Sequence, residues 1–127
     1  MDPIVLKFDT PLDAAIACGN RTLEILTEAR RTRGVATLAV SGGSTPRMMF
    51  QSMANRGFEW EGIEIFQVDE RCVPPDHKES NFRMLRESLL DSIEIDESHV
   101  HRIEGELPPE EAARARDSRD DNLRRRS

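Results

Sequence analysis

Val35-Ala36-Thr37-Leu38-Ala39-Val40-Ser41-Gly42-Gly43-Ser44-Thr45-Pro46 is the stretch on which the fold turns. Its first half, Val35 to Val40, is a nearly unbroken apolar run, which suits a strand covered on both faces in a parallel sheet. Its second half is a Gly-Gly turn with two hydroxyl residues and a proline, followed by a helical stretch carrying Met48, Met49, Phe50 and Met53. The free N–H groups of such a turn and of the helix start point at one place, and the helix dipole favours an anion there. Gly42 and Gly43 allow close backbone approach. Ser44 and Thr45 add hydroxyl donors, and Pro46 falls where a missing N–H costs nothing. The pattern is a candidate phosphate cradle. The competing reading is an ordinary strand-to-helix turn in which Ser44 or Thr45 is only a cap. It is not a Walker loop, because no Gly-Lys-Ser/Thr follows, and it lacks the G-x-G-x-x-G dinucleotide pattern.

Working outward, Ile4 to Phe8 alternates as a short strand would, and Thr10-Pro11 is a helix start, a capping hydroxyl before a first-turn proline. Leu12, Ala15, Ile16, Leu23 and Leu26 then recur at mostly three- and four-residue steps, with a gap at Gly19 and a natural stop at Gly34. Downstream, Ile63 to Val68 reads as a second buried strand ending in Asp69-Glu70-Arg71, before a polar loop with Pro74 and Pro75. Ser80 is placed to cap a third helix whose inner face carries Phe82, Leu85, Leu89 and Ile93. Val100 to Ile103 reads as another short strand, and Leu107-Pro108-Pro109-Glu110-Glu111 opens a further helix. Strand and helix alternate, so the class is α/β with a mainly parallel sheet.

In open sheets of this class ligands bind at the carboxyl ends of the strands, so Asp69-Glu70-Arg71 should face the same crevice as the glycine turn. Arg71 can pair with a phosphate or polarise a carbonyl oxygen, and Asp69 can orient a hydroxyl or take a proton. A local ion pair capping the loop is the bland alternative. Asp69, Glu70 and Asp76 with the single imidazole of His77 match no metal-ligand spacing, so no metal and no cofactor is expected. Cys72 adjoins Arg71 but has no recognisable base. His99 and His101 read as surface residues, and Met48, Met49 and Met53 as core filling.

The 127 residues allow one domain. Eighteen Lys and Arg against 24 Asp and Glu give a formal charge of −6, which speaks against a nucleic-acid partner. No apolar run approaches a membrane span and no signal peptide is visible, and Cys18 and Cys72 form no C-x-x-C pair. A cytoplasmic protein without a membrane or nucleic-acid partner is the expectation. From Arg114 the chain turns strongly polar, so the organisation expected is a 1–113 domain and a disordered 114–127 tail.

Ser41-Gly42-Gly43-Ser44-Thr45-Pro46, Val68-Asp69-Glu70-Arg71-Cys72-Val73-Pro74-Pro75-Asp76-His77 and Glu79-Ser80-Asn81 together resemble the 6-phosphogluconolactonases. They belong to the glucosamine/galactosamine-6-phosphate isomerase superfamily. Val100-His101-Arg102-Ile103 and the Pro-Glu-Glu-Ala-Ala helix start extend the likeness to about Ala113. The resemblance implies a doubly wound, Rossmann-like, mainly parallel sheet with flanking helices, of sugar-phosphate isomerase type. It also implies hydrolysis of 6-phospho-D-glucono-1,5-lactone to 6-phosphogluconate, with a small sugar phosphate as partner and a monomer for the full-length enzyme. Carried over by position, Gly42, Gly43, Ser44 and Thr45 bind the substrate phosphate, Asp69 and Arg71 act in catalysis, and Arg71 and Arg102 contact substrate. The related glucosamine-6-phosphate deaminases usually have tyrosine where this chain has Arg71, and they are the alternative, with a non-catalytic phosphosugar binder as a third reading. The family's Gly-x-x-x-Asp-Gly-His-x-Ala-Ser-Leu-Phe type segment, whose histidine activates the attacking water, is absent from this sequence. The chain therefore reads as the N-terminal part of a lactonase, C-terminally truncated, open to association and expected to turn over little or no substrate.

Overall fold

The computed structural model describes residues 7–108 together with 110, 111 and 114. Three helices and three strands follow one another as α1 (Pro11–Arg33), β1 (Ala36–Val40), α2 (Ser44–Ala54), β2 (Ile63–Gln67), α3 (Asn81–Ser88) and β3 (Val100–His101). The expected strand at Ile4–Phe8 lies outside the described residues except for Lys7 and Phe8, which are in no strand. The expected tail beyond Arg114 also lies outside them. Glu110, Glu111 and Arg114 are helical, where the Pro-Pro-Glu-Glu start was expected.

Both ends of α1 follow from their residues. Thr10 Oγ1 accepts from the Asp13 N–H at 3.0 Å, with Pro11 as the first helical residue. Gly34 closes the helix in the left-handed region at φ 82°, a conformation that costs glycine no side-chain clash. The gap at Gly19 has a packing reason. A Cβ there would lie 3.1 Å from Met53 Cγ and 3.3 Å from the Met49 carbonyl, so this glycine lets α2 cross α1 closely. Leu12, read as a core position, is instead 52% exposed, because it sits on the first turn ahead of that crossing.

The sheet is parallel, in the order β1-β2-β3, with Ala36 opposite Ile63, Val40 opposite Gln67 and Ile65 opposite Val100. Right-handed crossovers that step one way along a sheet place their helices on one face. The core is accordingly one-sided, with Leu23 and Leu26 of α1, Phe50 and Met53 of α2 and Met84 and Leu85 of α3 gathered with Ala36, Val40, Ile63 and Ile65. Burial of that apolar face is the main stabilising term.

Several expectations are corrected here. Strand β1 is not covered on both faces: Thr37 and Ala39 are exposed, because no described helix packs on their side of the sheet. Val68 is not part of the buried strand. It follows Gln67 and is 44% exposed. The third helix ends at Ser88 rather than reaching Ile93, since Leu89 leaves helical geometry and a 3-10 turn, Leu90–Ser92, folds back on the core. Phe82 and Ile93 are half-buried at its margin, and Met84 takes the interior position instead. Of the two histidines read as surface residues, His99 is exposed but His101 is half-buried. His101 stacks on Phe66 at 4.3 Å, and its Nε2 lies 2.9 Å from a Glu64 carboxylate oxygen whose partner oxygen meets His99 Nδ1 at 2.9 Å.

Candidate active site

Parallel pairing brings the carboxyl ends of β1 and β2 together, and the Val68 N–H donates to the Val40 carbonyl at 2.9 Å just where both strands end. The glycine turn after β1 and Asp69-Glu70-Arg71 after β2 therefore leave the sheet side by side. Helix α2 starts at Ser44 with Gly43 as its N-cap, at φ 125° and with no side-chain capping bond. Neither Ser44 nor Thr45 is a cap. Both lie in the first turn, where backbone N–H groups have no helical partner. Pro46, third in the helix, is still within that turn, so its missing N–H leaves no bond unmade. No acidic residue stands in the first turn of α2.

The other two helix starts differ. Thr10 and Asp13 serve α1, and the start of α3 is closed by two side chains, Ser80 and Glu70. Ser80 Oγ accepts from the Arg83 N–H at 3.3 Å and donates to Glu70 Oε2 at 2.8 Å. Glu70 Oε2 also accepts from the Phe82 N–H at 3.0 Å and Gln67 Nε2 at 3.3 Å. Its Oε1 accepts from the N–H groups of Arg71 at 2.7 Å and Asn81 at 2.6 Å. Five donors thus fill one carboxylate, about all its lone pairs accept. Burial acts to raise the Glu70 pKa, but the bonds from Ser80, Arg71, Phe82 and Asn81 together hold it below its ordinary value of 4.5.

This network sets the shape of the crevice. It closes the 71–80 loop onto the start of α3 and brings the Asn81 side chain between the two expected elements. Asn81 Nδ2 lies 3.4 Å from Asp69 Oδ1, and a Cβ on Gly42 would fall 2.1 Å from Asn81 Oδ1. From below, buried Gln67 donates to Glu70 and accepts from the Ile103 N–H at 2.8 Å, so the chain after β3 is tied to the same carboxylate. Gly105 is pressed beneath the loop, where a Cβ would meet the Arg71 carbonyl at 2.2 Å.

Of the residues expected at the site, Gly42, Gly43, Ser44, Thr45 and Asp69 come together at this edge. Arg71 is exposed on the loop, and its guanidinium enters no ion pair or hydrogen bond among the described residues. Arg102 stands on the chain just after β3. Its guanidinium forks onto the Glu106 carboxylate at 2.6 and 2.9 Å and stands 6.0 Å from the Phe82 ring centre, beside a cleft of about 480 Å³. Donating to the Glu106 carboxylate raises the Arg102 pKa. Reading the sequence by motif put Glu70 at the crevice with Asp69 and Arg71 and made Ser80 a helix cap, but it gave no site role to Gln67, Glu70, Ser80, Asn81 or Gly105; the Asp-Glu and Ser-Asn pairs were the available signal. Among the described residues no cluster of three or more His, Cys, Asp or Glu side chains is arranged to hold a metal.

Residues 9–124 match the family of glucosamine-6-phosphate isomerases/6-phosphogluconolactonase, a span that runs into the polar stretch after Arg114. The chain belongs to this family. The 6-phosphogluconolactonase of Treponema pallidum is 42% identical over 88 residues, which are 67% of this chain and 36% of that protein. A crystal structure of 6-phosphogluconolactonase from Thermotoga maritima superposes with a TM-score of 0.81 at 28% identity, covering 94% of this chain and 53% of that one. A monomeric glucosamine-6-phosphate deaminase has the same fold, with a TM-score of 0.81 at 16% identity over 95% of this chain and 51% of its own. The α/β fold with a parallel sheet and flanking helices is thus that of the lactonase and deaminase family. The chain spans about a third of the length of the curated relatives it matches.

Proposed function

We propose that this chain forms the phosphosugar-binding part of a 6-phosphogluconolactonase, the enzyme that hydrolyses 6-phospho-D-glucono-1,5-lactone to 6-phosphogluconate. The observation that carries this reading is the start of α2, which has no side-chain cap and no acidic residue and opens beside Asp69 and Asn81. In a family of sugar-phosphate enzymes, that is where a phosphate finds free N–H donors and a favourable dipole. Gly42, Gly43, Ser44 and Thr45 hold the phosphate, Asp69 orients a sugar or lactone oxygen, and Arg71 closes over the bound anion. Arg102, engaged with Glu106, reaches substrate only by leaving that partner. Lactonase is preferred to deaminase because Arg71 follows the Asp-Glu pair and the similar curated relatives carry the lactonase name. Exposed free Cys18 and Cys72 fit a reducing compartment such as the cytoplasm.

Turnover is a separate matter from binding. Lactone hydrolysis needs a base to activate water, and with Asp69 orienting the substrate that role falls to an imidazole. His99 and His101 are engaged with Glu64 on the open face of the sheet, and His77 Nδ1 accepts the Glu79 N–H at 3.0 Å. This chain alone is therefore expected to bind 6-phosphogluconate saturably and to leave the spontaneous rate of lactone hydrolysis unchanged. Calorimetric titration with 6-phosphogluconate, a lactone hydrolysis assay and an ammonia assay with glucosamine 6-phosphate test both points. Ammonia release would replace this reading with the deaminase, and absence of any binding would overturn it. Hydrolysis above the spontaneous rate would keep the lactonase and overturn the need for a further histidine.

A further inference from the structure

We propose that Glu70 is a positioning residue, an anionic clasp that fastens the 71–80 loop to the start of α3 and so holds the Asn81 amide between Gly42 and Asp69. The inference rests on the phosphosugar reading of the crevice and adds a residue with a distinct role. The Glu70 carboxylate is taken up by the protein itself. Both its oxygens are occupied by Gln67, Arg71, Ser80, Asn81 and Phe82. Glu70 and the Ser80 hydroxyl together thus take up the Asn81, Phe82 and Arg83 N–H groups of α3 that could otherwise attract an anion, leaving the start of α2 without a side-chain cap. Two of its five donors are backbone N–H groups of consecutive residues, Asn81 and Phe82, so the carboxylate fixes the direction in which the Asn81 side chain leaves the backbone. That direction matters at close range, because Asn81 Oδ1 occupies the space beside Gly42 and Nδ2 reaches toward Asp69.

Glu70→Gln tests the clasp. A neutral amide keeps the shape but presents an NH₂ group to donors, so at least one backbone N–H loses its acceptor. Two probes separate positioning from general weakening. Inorganic phosphate draws on the α2 turn and the Arg71 side chain but not on the Asn81–Asp69 side of the crevice, which 6-phosphogluconate also needs. Glu70→Gln should weaken 6-phosphogluconate binding about tenfold or more, as expected for losing a hydrogen bond to a charged group. Phosphate affinity should stay within about twofold, and the Asn81 side-chain NH₂ signals should leave their wild-type positions in ¹⁵N spectra. Equal weakening of both ligands, or unmoved Asn81 signals, would overturn the proposal. If the wild-type chain binds neither ligand, the functional reading fails, and the Asn81 signals alone still decide the role of Glu70. Should Glu70→Gln not fold, Ser80→Ala removes one donor and is expected to show the same pattern at smaller amplitude; an unchanged Asn81 there counts against the clasp.

Discussion

Glu70 makes the crevice sensitive to acid. Its pKa is lowered in the folded chain, so the folded state binds fewer protons than the unfolded one as pH falls toward 4.5 and below. The stabilisation it supplies is complete above that value and is lost as pH drops through the lowered pKa. Wild-type unfolding free energy is therefore expected to fall on acidification below 4.5, and Glu70→Gln to show a shallower fall over the same range, both read from urea midpoints against pH. Equal slopes would contradict the assignment. Position in the sequence could not separate Asp69 from Glu70, two neighbouring carboxylates at a strand end. What distinguishes them is that donors from residues 67, 71, 80, 81 and 82 converge on one and not the other, which is a property of loop closure and not of spacing. The Gly-Gly turn was legible for the opposite reason, since its chemistry is local.

At the scale of elements, local signals were the dependable ones. Thr10-Pro11 and Gly34 mark the ends of α1 where the structure has them, and Ser80 caps α3. Signals that depend on neighbours misled. The apolar run Val35–Val40 reads alike on both sides, yet only Ala36, Leu38 and Val40 face the helices, and Thr37 and Ala39 are exposed. Gly19 reads as a break in the helical pattern and is instead the contact at which α2 crosses. Gly19→Val should destabilise the chain by about 1–3 kcal/mol, the range for overpacking a tight contact, because methyl groups would press on Met53 and the Met49 carbonyl. A lowered urea midpoint with unchanged m-value is expected; an unchanged or raised midpoint would mean that α1 and α2 separate freely.

Among the described residues, three parallel strands carry one layer of helices, and the proposed site lies at the carboxyl edge of β1 and β2. The class followed from the alternation of strand and helix, because connection rules leave few topologies for such a chain. Arg102, the residue immediately after β3, pairs with Glu106 and stands near the Phe82 ring, a placement set by long-range packing that its position in the motif does not reveal. The central claim is that a phosphosugar binds between the glycine turn and the Asp69–Asn81 pair. Titrating the ¹⁵N-labelled chain with 6-phosphogluconate, and Gly42→Ala alongside it, tests this most directly. The account predicts saturable shifts at Gly42, Gly43, Ser44, Thr45, Asp69 and Asn81, and their loss in Gly42→Ala, where the new Cβ would displace the Asn81 amide. Shifts confined to other surfaces, or an unaffected Gly42→Ala, would contradict it.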